Sequence, residues 1–337
     1  MSAKRVAGIL TASMLLSGLL SGAVAVPPAA AATCTPTGLI RDSINLTAAQ
    51  IGGSVTGTLD ATGCNIGAYF DAAHPGSVSG ADIFGANYFG VVDNGQQNFT
   101  VQRSTIRDIG ESPLNGDQHG VGIYFAYDSG STGTIKKNDI WNYQKGGIVV
   151  NGDGVSAQIV GNTVTGQGSV DWIAQNGIQM GYGATGSIVG NTVTGNSYTG
   201  ISTVSGGIIL VGGPFYAAYF DVNADYVSNV NVSRNTLTGN DVGIWLTNIQ
   251  ADGSAPTTPT DNSVTNNTIS NDAVTNQYDD CGYQAGIADQ GDGDNIVNNT
   301  ISGVGYTPVS GDCPYLRFID ADPSFTNNAH INNNSQP

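Results

Sequence analysis

The 337-residue chain is short of the residues that usually cover helix surfaces. Lys and Arg together number 10, and among 26 acidic residues Glu111 is the only Glu. Without Glu, Lys and Arg to fill surface positions, a helical bundle or coiled coil is excluded. The basic residues are too scattered for a nucleic-acid footprint, and the formal net charge of −16 repels phosphate. Leu is scarce, which argues against leucine-rich repeats. After Val26 no apolar run reaches membrane-spanning length. Gly lacks the three-residue period of collagen. What is abundant is Gly itself, 48 residues, together with Asn and β-branched residues. A hydrophobic content of 39% is too high for a disordered chain. A β-rich or loop-rich globular protein remains, long enough to bury a sizeable core.

Residues 1–32 have the three parts of a secretory signal peptide: Lys4 and Arg5, an apolar middle to Val26, and the small-residue exit Ala29–Ala32. Gly and Ser interrupt the apolar stretch, which favours cleavage over a membrane anchor. Cleavage removes Lys4 and Arg5, so the mature chain carries 8 basic against 26 acidic residues, a net −18. A secreted, extracellular protein with no membrane contact after cleavage is expected. Its four cysteines, Cys34, Cys64, Cys281 and Cys313, lack the close spacing of a zinc site. An even count in an exported chain suggests two disulfides, most simply Cys34–Cys64 and Cys281–Cys313.

Two short patterns alternate along the chain. One is Asn-Thr followed by an apolar residue: Asn162-Thr163-Val164, Asn191-Thr192-Val193, Asn235-Thr236-Leu237, Asn267-Thr268-Ile269 and Asn299-Thr300-Ile301, with Asn138-Asp139-Ile140 as a weaker copy. The other is Gly before a β-former, at Gly90, Gly122, Gly147, Gly177, Gly207, Gly243 and Gly286, with spacings of 32, 25, 30, 30, 36 and 43. Periods of this length indicate a solenoid, and most are too short for propeller blades. In triplets such as Ile148-Val149-Val150 and Ile178-Gln179-Met180 the first and third residues stay apolar, so they point inward and the middle one outward. The Asn is expected to form an internal ladder from coil to coil, and the excess Gly to punctuate the corners.

These repeats, with Gly186-Ser187-Ile188-Val189-Gly190-Asn191-Thr192-Val193-Thr194-Gly195 as the fullest copy, resemble the right-handed parallel β-helix proteins of the pectin-lyase-like superfamily. The resemblance covers roughly residues 50–335 and implies an all-β solenoid of about nine coils. Residues 33–64 would form an N-terminal cap and first coil, and residues 65–337 the β-helix with loop insertions. The Cys34–Cys64 and Cys281–Cys313 separations of 30 and 32 then equal about one coil, so each pair could bridge vertically.

Function in a solenoid sits where coils carry insertions. Long connections are expected from Ile106 to Ile123, Val164 to Ile178, Val193 to Ile208 and Ile269 to Ile287, all at one corner. They hold the catalytic candidates Glu111, Asp117, His119 and Asp171, and the substrate-binding candidates Trp172, Tyr198, Tyr278, Asp279 and Asp280. Paired carboxylates supply acid and base, while aromatic faces stack on sugars. A further insertion after Ile208 carries Tyr216 and Tyr219, a second candidate sugar-binding lip.

The alternating acids of Asp289-Gln290-Gly291-Asp292-Gly293-Asp294 resemble a calcium loop without the closing Glu of an EF-hand, and an acidic turn is the simpler reading. No cofactor is required by these patterns, and calcium is an optional ligand. Signatures of pectate lyases, polygalacturonases, pectin methylesterases and alginate epimerases are not matched, so no catalytic residue transfers by motif. The expected function is a secreted glycoside hydrolase acting on an extracellular polysaccharide. The alternatives are a calcium-dependent polysaccharide lyase and a non-catalytic glycan-binding surface protein.

Overall fold

The computed structural model describes residues 33–336 apart from Asp221 and Asp312, so the signal peptide expected at 1–32 lies outside the described residues. A middle coil has three strands. Gly146–Asn151 is followed by Ser156–Val160 and Thr163–Val170, and the next coil begins with Asn176–Gly181. The Gly-apolar strands form one eleven-stranded sheet, parallel except for its first strand, Thr35–Arg41. The other two strands of each coil build a second sheet of 17 strands. The chain is thus an all-β parallel β-helix, as its repeats imply.

Register explains the core. Ile123, Ile148, Ile178, Ile208, Ile244 and Ile287 stand in one column of the first sheet, all at 0% exposure. Ile135, Ile159, Ile188, Val232, Val264 and Ile296 make a second column, and Ile106, Ile140, Val164, Val193, Leu237, Ile269 and Ile301 a third. Each buried aliphatic side chain contributes about 1.5–3 kcal/mol.

The Asn before each Thr is buried, and its amide runs the expected ladder. Asn162 Nδ2 and backbone N both donate to Asn191 Oδ1 at 2.9 Å, and Asn191 repeats this onto Asn235 at 3.0 and 2.9 Å. The same pairing joins Asn138 to Asn162, Asn235 to Asn267, Asn267 to Asn299 and Asn299 to Asn334. Each Nδ2 also reaches a main-chain carbonyl in the second strand of the preceding coil, as Asn191 does to Ile159 at 3.0 Å. The residue just before each Asn is left-handed: Lys137, Gly161, Gly190, Arg234, Asn266 and Asn298 all have positive φ.

The Gly series departs from the sequence reading. These residues lie inside strands and not at corners. A Cβ on Gly147 would stand 2.6 Å from the Gly177 carbonyl oxygen and 2.3 Å from Val164 Cγ1. Gly177 meets the Gly207 carbonyl and Val193 in the same way. The column is glycine because the two sheets converge there.

The middle residues of the strand triplets point away from the core, and three of them are still buried while Gln179 and Trp245 are half-buried. Tyr124 and Ile209 are each 6% exposed and Val149 is 9% exposed. Tyr124 and Val149 join Tyr69, Tyr88, Phe89 and Val92 in a second apolar cluster, against which Leu39 and Ile51 of the N-terminal hairpin pack. The disulfides join Cys34 to Cys64 and Cys281 to Cys313, with Cα atoms 5.4 and 5.2 Å apart. Among the described residues no helix is long and apolar enough to cross a membrane.

Truncating a rung of the ladder is the sharpest test of this architecture. Asn191→Ala removes the acceptor of the Asn162 N–H and Nδ2 and the side-chain donor to the Ile159 carbonyl, and leaves Asn235 Oδ1 with only the Asn191 backbone N–H. It should destabilise the protein by about 3 kcal/mol, whereas Thr192→Ala on the exposed side should change little. Chemical denaturation of both variants checks the contrast.

Candidate functional site

The loop at residues 110–120 leaves the solenoid after the strand Thr105–Ile109 and returns at Val121–Phe125. Its two ends are pinned to the coil below, since Gly110 N donates to the Ala86 carbonyl and Gly120 N to the Tyr88 carbonyl, both at 3.0 Å. The neck leaves no room for a side chain, because a Cβ on Gly120 would lie 3.0 Å from Gly110 Cα. Gln144, fully buried in the coil above, fills the loop's interior. Its Oε1 accepts from the backbone N–H groups of Glu111 and Asn115, and its Nε2 donates to the Asp117 carbonyl at 2.8 Å. One neutral amide thereby sets the shape of an otherwise irregular loop.

That shape brings three candidates together. His119 Nε2 lies 2.8 Å from Glu111 Oε1, and donor atoms of Glu111, Asp117 and His119 all fall within 4.8 Å of one another. His119 is 8% exposed and stacks on Tyr88 with ring centroids 3.9 Å apart. Asp42, from the tip of the N-terminal hairpin, places Oδ2 4.0 Å from His119 Nδ1. Asn87 Nδ2 donates to Glu111 Oε1 at 3.0 Å, and Asn115 Nδ2 to Asp117 Oδ2 at 3.0 Å. Tyr88 has its hydroxyl pushed upward, first by burial and then by Asp42. Glu111 is half-buried and Asp117 exposed, so the cluster opens to solvent on the Asp117 side. The three side chains could grip a divalent cation, or act as two carboxyls held by an imidazole.

The other long loops lie farther up the same edge. Trp172 is half-buried, and its carbonyl oxygen packs 3.0 Å from where a Cβ on Gly116 would stand, so this loop abuts the first. Asp171 beside it is exposed. Lys145 Nζ donates to the Ala174 carbonyl at 2.9 Å, and burial pulls its ammonium down to about 8. Part of this connection, expected as loop, is strand: Ser169 and Val170 pair with Ser197 and Tyr198.

Tyr198, Tyr278, Asp279 and Asp280 form a separate group. Asp241, fully buried, joins their loops by accepting from Ser197 Oγ, the N–H groups of Tyr198 and Ser205, and Asn276 Nδ2. Burial raises this carboxyl to about 6 despite those donors. Tyr278, Asp279 and Asp280 form a short exposed turn. Its loop enters the first sheet five strands beyond the Glu111 loop, and Asp279 N donates to the Ile201 carbonyl, in the loop that enters three strands beyond, at 2.9 Å. Tyr216 and Tyr219 lie at the opposite end of the first-sheet strands, on the helix Pro214–Phe220 that follows Gly206–Gly212. Tyr216 is tied down by Thr247 at 2.6 Å, and Tyr219 is 73% exposed.

Sequence reasoning missed Asp42, Asn87, Tyr88, Gln144 and Asp241. Asp241 had a signal. Asn196 and Asn240, at the same offset in the Asn-Thr repeats, form a second ladder, with Asn196 Nδ2 donating to Asn240 Oδ1 at 2.9 Å, and Asp241 follows directly.

A family model described as right handed beta helix region matches residues 52–164, about a third of the chain. No curated protein matches the chain. The matched segment contains the Glu111–His119 loop and supports the resemblance to pectin-lyase-like β-helices. Strand order, register and the family match agree: the chain is a right-handed parallel β-helix protein.

Proposed function

We propose that the protein is a secreted glycoside hydrolase that cuts an extracellular polysaccharide at the Glu111–Asp117–His119 cluster. The observation that carries this reading is the approach of two carboxyls, Glu111 and Asp117, to within 4.8 Å in a loop braced by Gln144. Retaining glycosidases hold their two carboxyls about 5–5.5 Å apart, whereas inverting enzymes need about 6.5–9.5 Å to admit water. The pair here suits retention.

In this reading the exposed Asp117 is the nucleophile. It attacks the anomeric carbon as the protonated Glu111 donates its proton to the leaving glycosidic oxygen. Water, deprotonated by Glu111, then releases the sugar from Asp117. His119, stacked on Tyr88 and hydrogen-bonded to Glu111, is a positioning residue for that acid. Trp172, Tyr198 and Tyr278 follow one another along the same edge and would receive sugars of a chain lying parallel to the axis. Paired cysteines and the absence of a membrane-crossing helix among the described residues are compatible with an extracellular setting.

Reducing-end release from a polysaccharide panel should fall by about 10²–10⁴-fold in Glu111→Gln, and the product's anomeric configuration should be retained by NMR. Unchanged release in Glu111→Gln removes the assignment. Chelator-sensitive release of an unsaturated product would give the same three side chains to a calcium-dependent lyase. Retention on insoluble glycan without product would give them to binding alone.

Asp241→Ala tests the aromatic loops along this edge separately. It frees the loops bearing Tyr198 and Tyr278, so KM should rise about tenfold with kcat nearly unchanged. An equal fall in kcat would count against these loops as a binding surface.

A further inference from the structure

The turn at residues 289–294 holds two carboxyls that the site chemistry does not use. Asp289 is 2% exposed and Asp294 is 0% exposed. One oxygen of each is satisfied: Asp289 Oδ2 accepts from Thr326 Oγ1 at 2.7 Å, and Asp294 Oδ1 from Thr260 Oγ1 at 2.8 Å and Asn262 N at 2.6 Å. The other two, Asp289 Oδ1 and Asp294 Oδ2, are buried without a partner among the described residues. The side chains contact one another.

Two carboxylates in contact and out of water cannot both stay ionised without a counter-ion. No cationic side chain is paired with either among the described residues. The titratable groups on the packed elements are Asp261 on the preceding coil, Asp292 within the turn, Asp320 beside Ala288 with Tyr315 and Arg317 farther along the same strand, where Arg317 lies over the Tyr315 ring, and Asp322 and His330 on the following coil. Asp292, Asp320 and Asp322 are engaged elsewhere, by Asn328, by Tyr283 and Tyr315, and by Ser324.

A bound calcium ion would need about six to eight oxygens, but only two are unclaimed, and the neighbouring hydroxyls and N–H group donate toward the pair. Space is also lacking, since a Cβ on Gly291 would lie 2.1 Å from Asp294 Oδ2. What is missing is one hydrogen-bond donor, which a carboxyl O–H supplies.

We propose that Asp289 and Asp294 form a buried proton-binding site, in which one shared proton latches the last coil onto the solenoid. The turn links three coils. Thr260 and Asn262 reach it from the coil before, Thr326 from the coil after, and Asn327 N donates to the Gly291 carbonyl at 2.9 Å. Burial first, and then the charge of Asp289, push Asp294 up to about 8, and burial raises Asp289 too. In the unfolded chain both carboxyls titrate near about 3.9. Folding therefore takes up a proton above about pH 4, and the latch's contribution is complete below that pH. It is lost as the pH rises to and through about 8.

Asp294→Asn puts a permanent amide donor in place of the proton. Melting of the full protein from about pH 5 to about pH 9 should show wild type losing at least about 2 °C more than this variant. A protonated-carboxyl band should persist in the wild-type infrared spectrum above about pH 7 and vanish from the variant. Asp289→Asn serves if Asp294→Asn does not fold, and the infrared titration of wild type alone decides if neither does. Parallel melting across the range, or no protonated carboxyl above about pH 7, overturns the proposal. So does a calcium-induced rise in wild-type melting temperature that Asp294→Asn abolishes, which would make the pair a cation site.

Discussion

The asparagine ladder is the constraint on which the rest of the molecule depends. A rung must accept from the coil on one side and donate to the coil on the other, from a buried position with no water to complete either bond. A primary amide does both with one neutral group. Aspartate offers no donor when ionised, and a hydroxyl has a single proton. The left-handed residue before each rung turns the chain so that the amide enters the interior. Lys137 and Arg234 hold this position as Gly161 and Gly190 do, with their side chains in solvent, at the steric cost that a Cβ carries in the left-handed region. The ladder thus fixes the junction between the second and third strands of each coil. Insertions collect elsewhere, chiefly at the corner between the third strand and the next first strand.

At that corner the same device is reused with less regularity. Gln144 does for the Glu111 loop what a ladder asparagine does for a coil, satisfying backbone donors and acceptors with one buried amide. Asp241 plays the corresponding part farther up, but as a carboxylate it can only accept, so every partner around it is a donor. The two loop groups are therefore independently held, one by a neutral hub and one by an acidic hub. Their separation of three to five strands is set by the solenoid.

Much of this was legible because a solenoid repeats. Ile148 and Ile178 announce their pairing by recurring beside Gly at a constant offset, and Asn162 and Asn191 announce the ladder likewise. The Gly column was legible in position but not in cause. A sequence records that Gly147 recurs, but not that the Gly177 carbonyl and Val164 approach it from two directions. Within the site, Glu111 and His119 stood out because Glu and His are rare. Asp42 could not, since the hairpin that carries it to His119 lies outside the repeat. Tyr216 and Tyr219 were visible as a cluster on the opposite connection, and the strand and helix that carry them place them at the far edge from Glu111.

The fate of the basic residues bears on which glycan the proposed site would take. Arg107 is committed to Asp82 and Asp108 beneath Phe84, and Lys145 to the Ala174 carbonyl. Arg103, Lys137 and Arg234 stand at left-handed turns of the second sheet. Arg317 lies over the Tyr315 ring near the C-terminal end. The Glu111 cluster itself contains Asp42, Glu111 and Asp117 around one histidine. A uronate carboxylate entering there would meet three acids against the exposed Arg41 that adjoins Asp42 on the hairpin, a net repulsion that falls off only over a Debye length of about 8 Å. Within the proposed reading this favours an uncharged polysaccharide, and it makes bound metal a requirement only if the true substrate proves to be acidic.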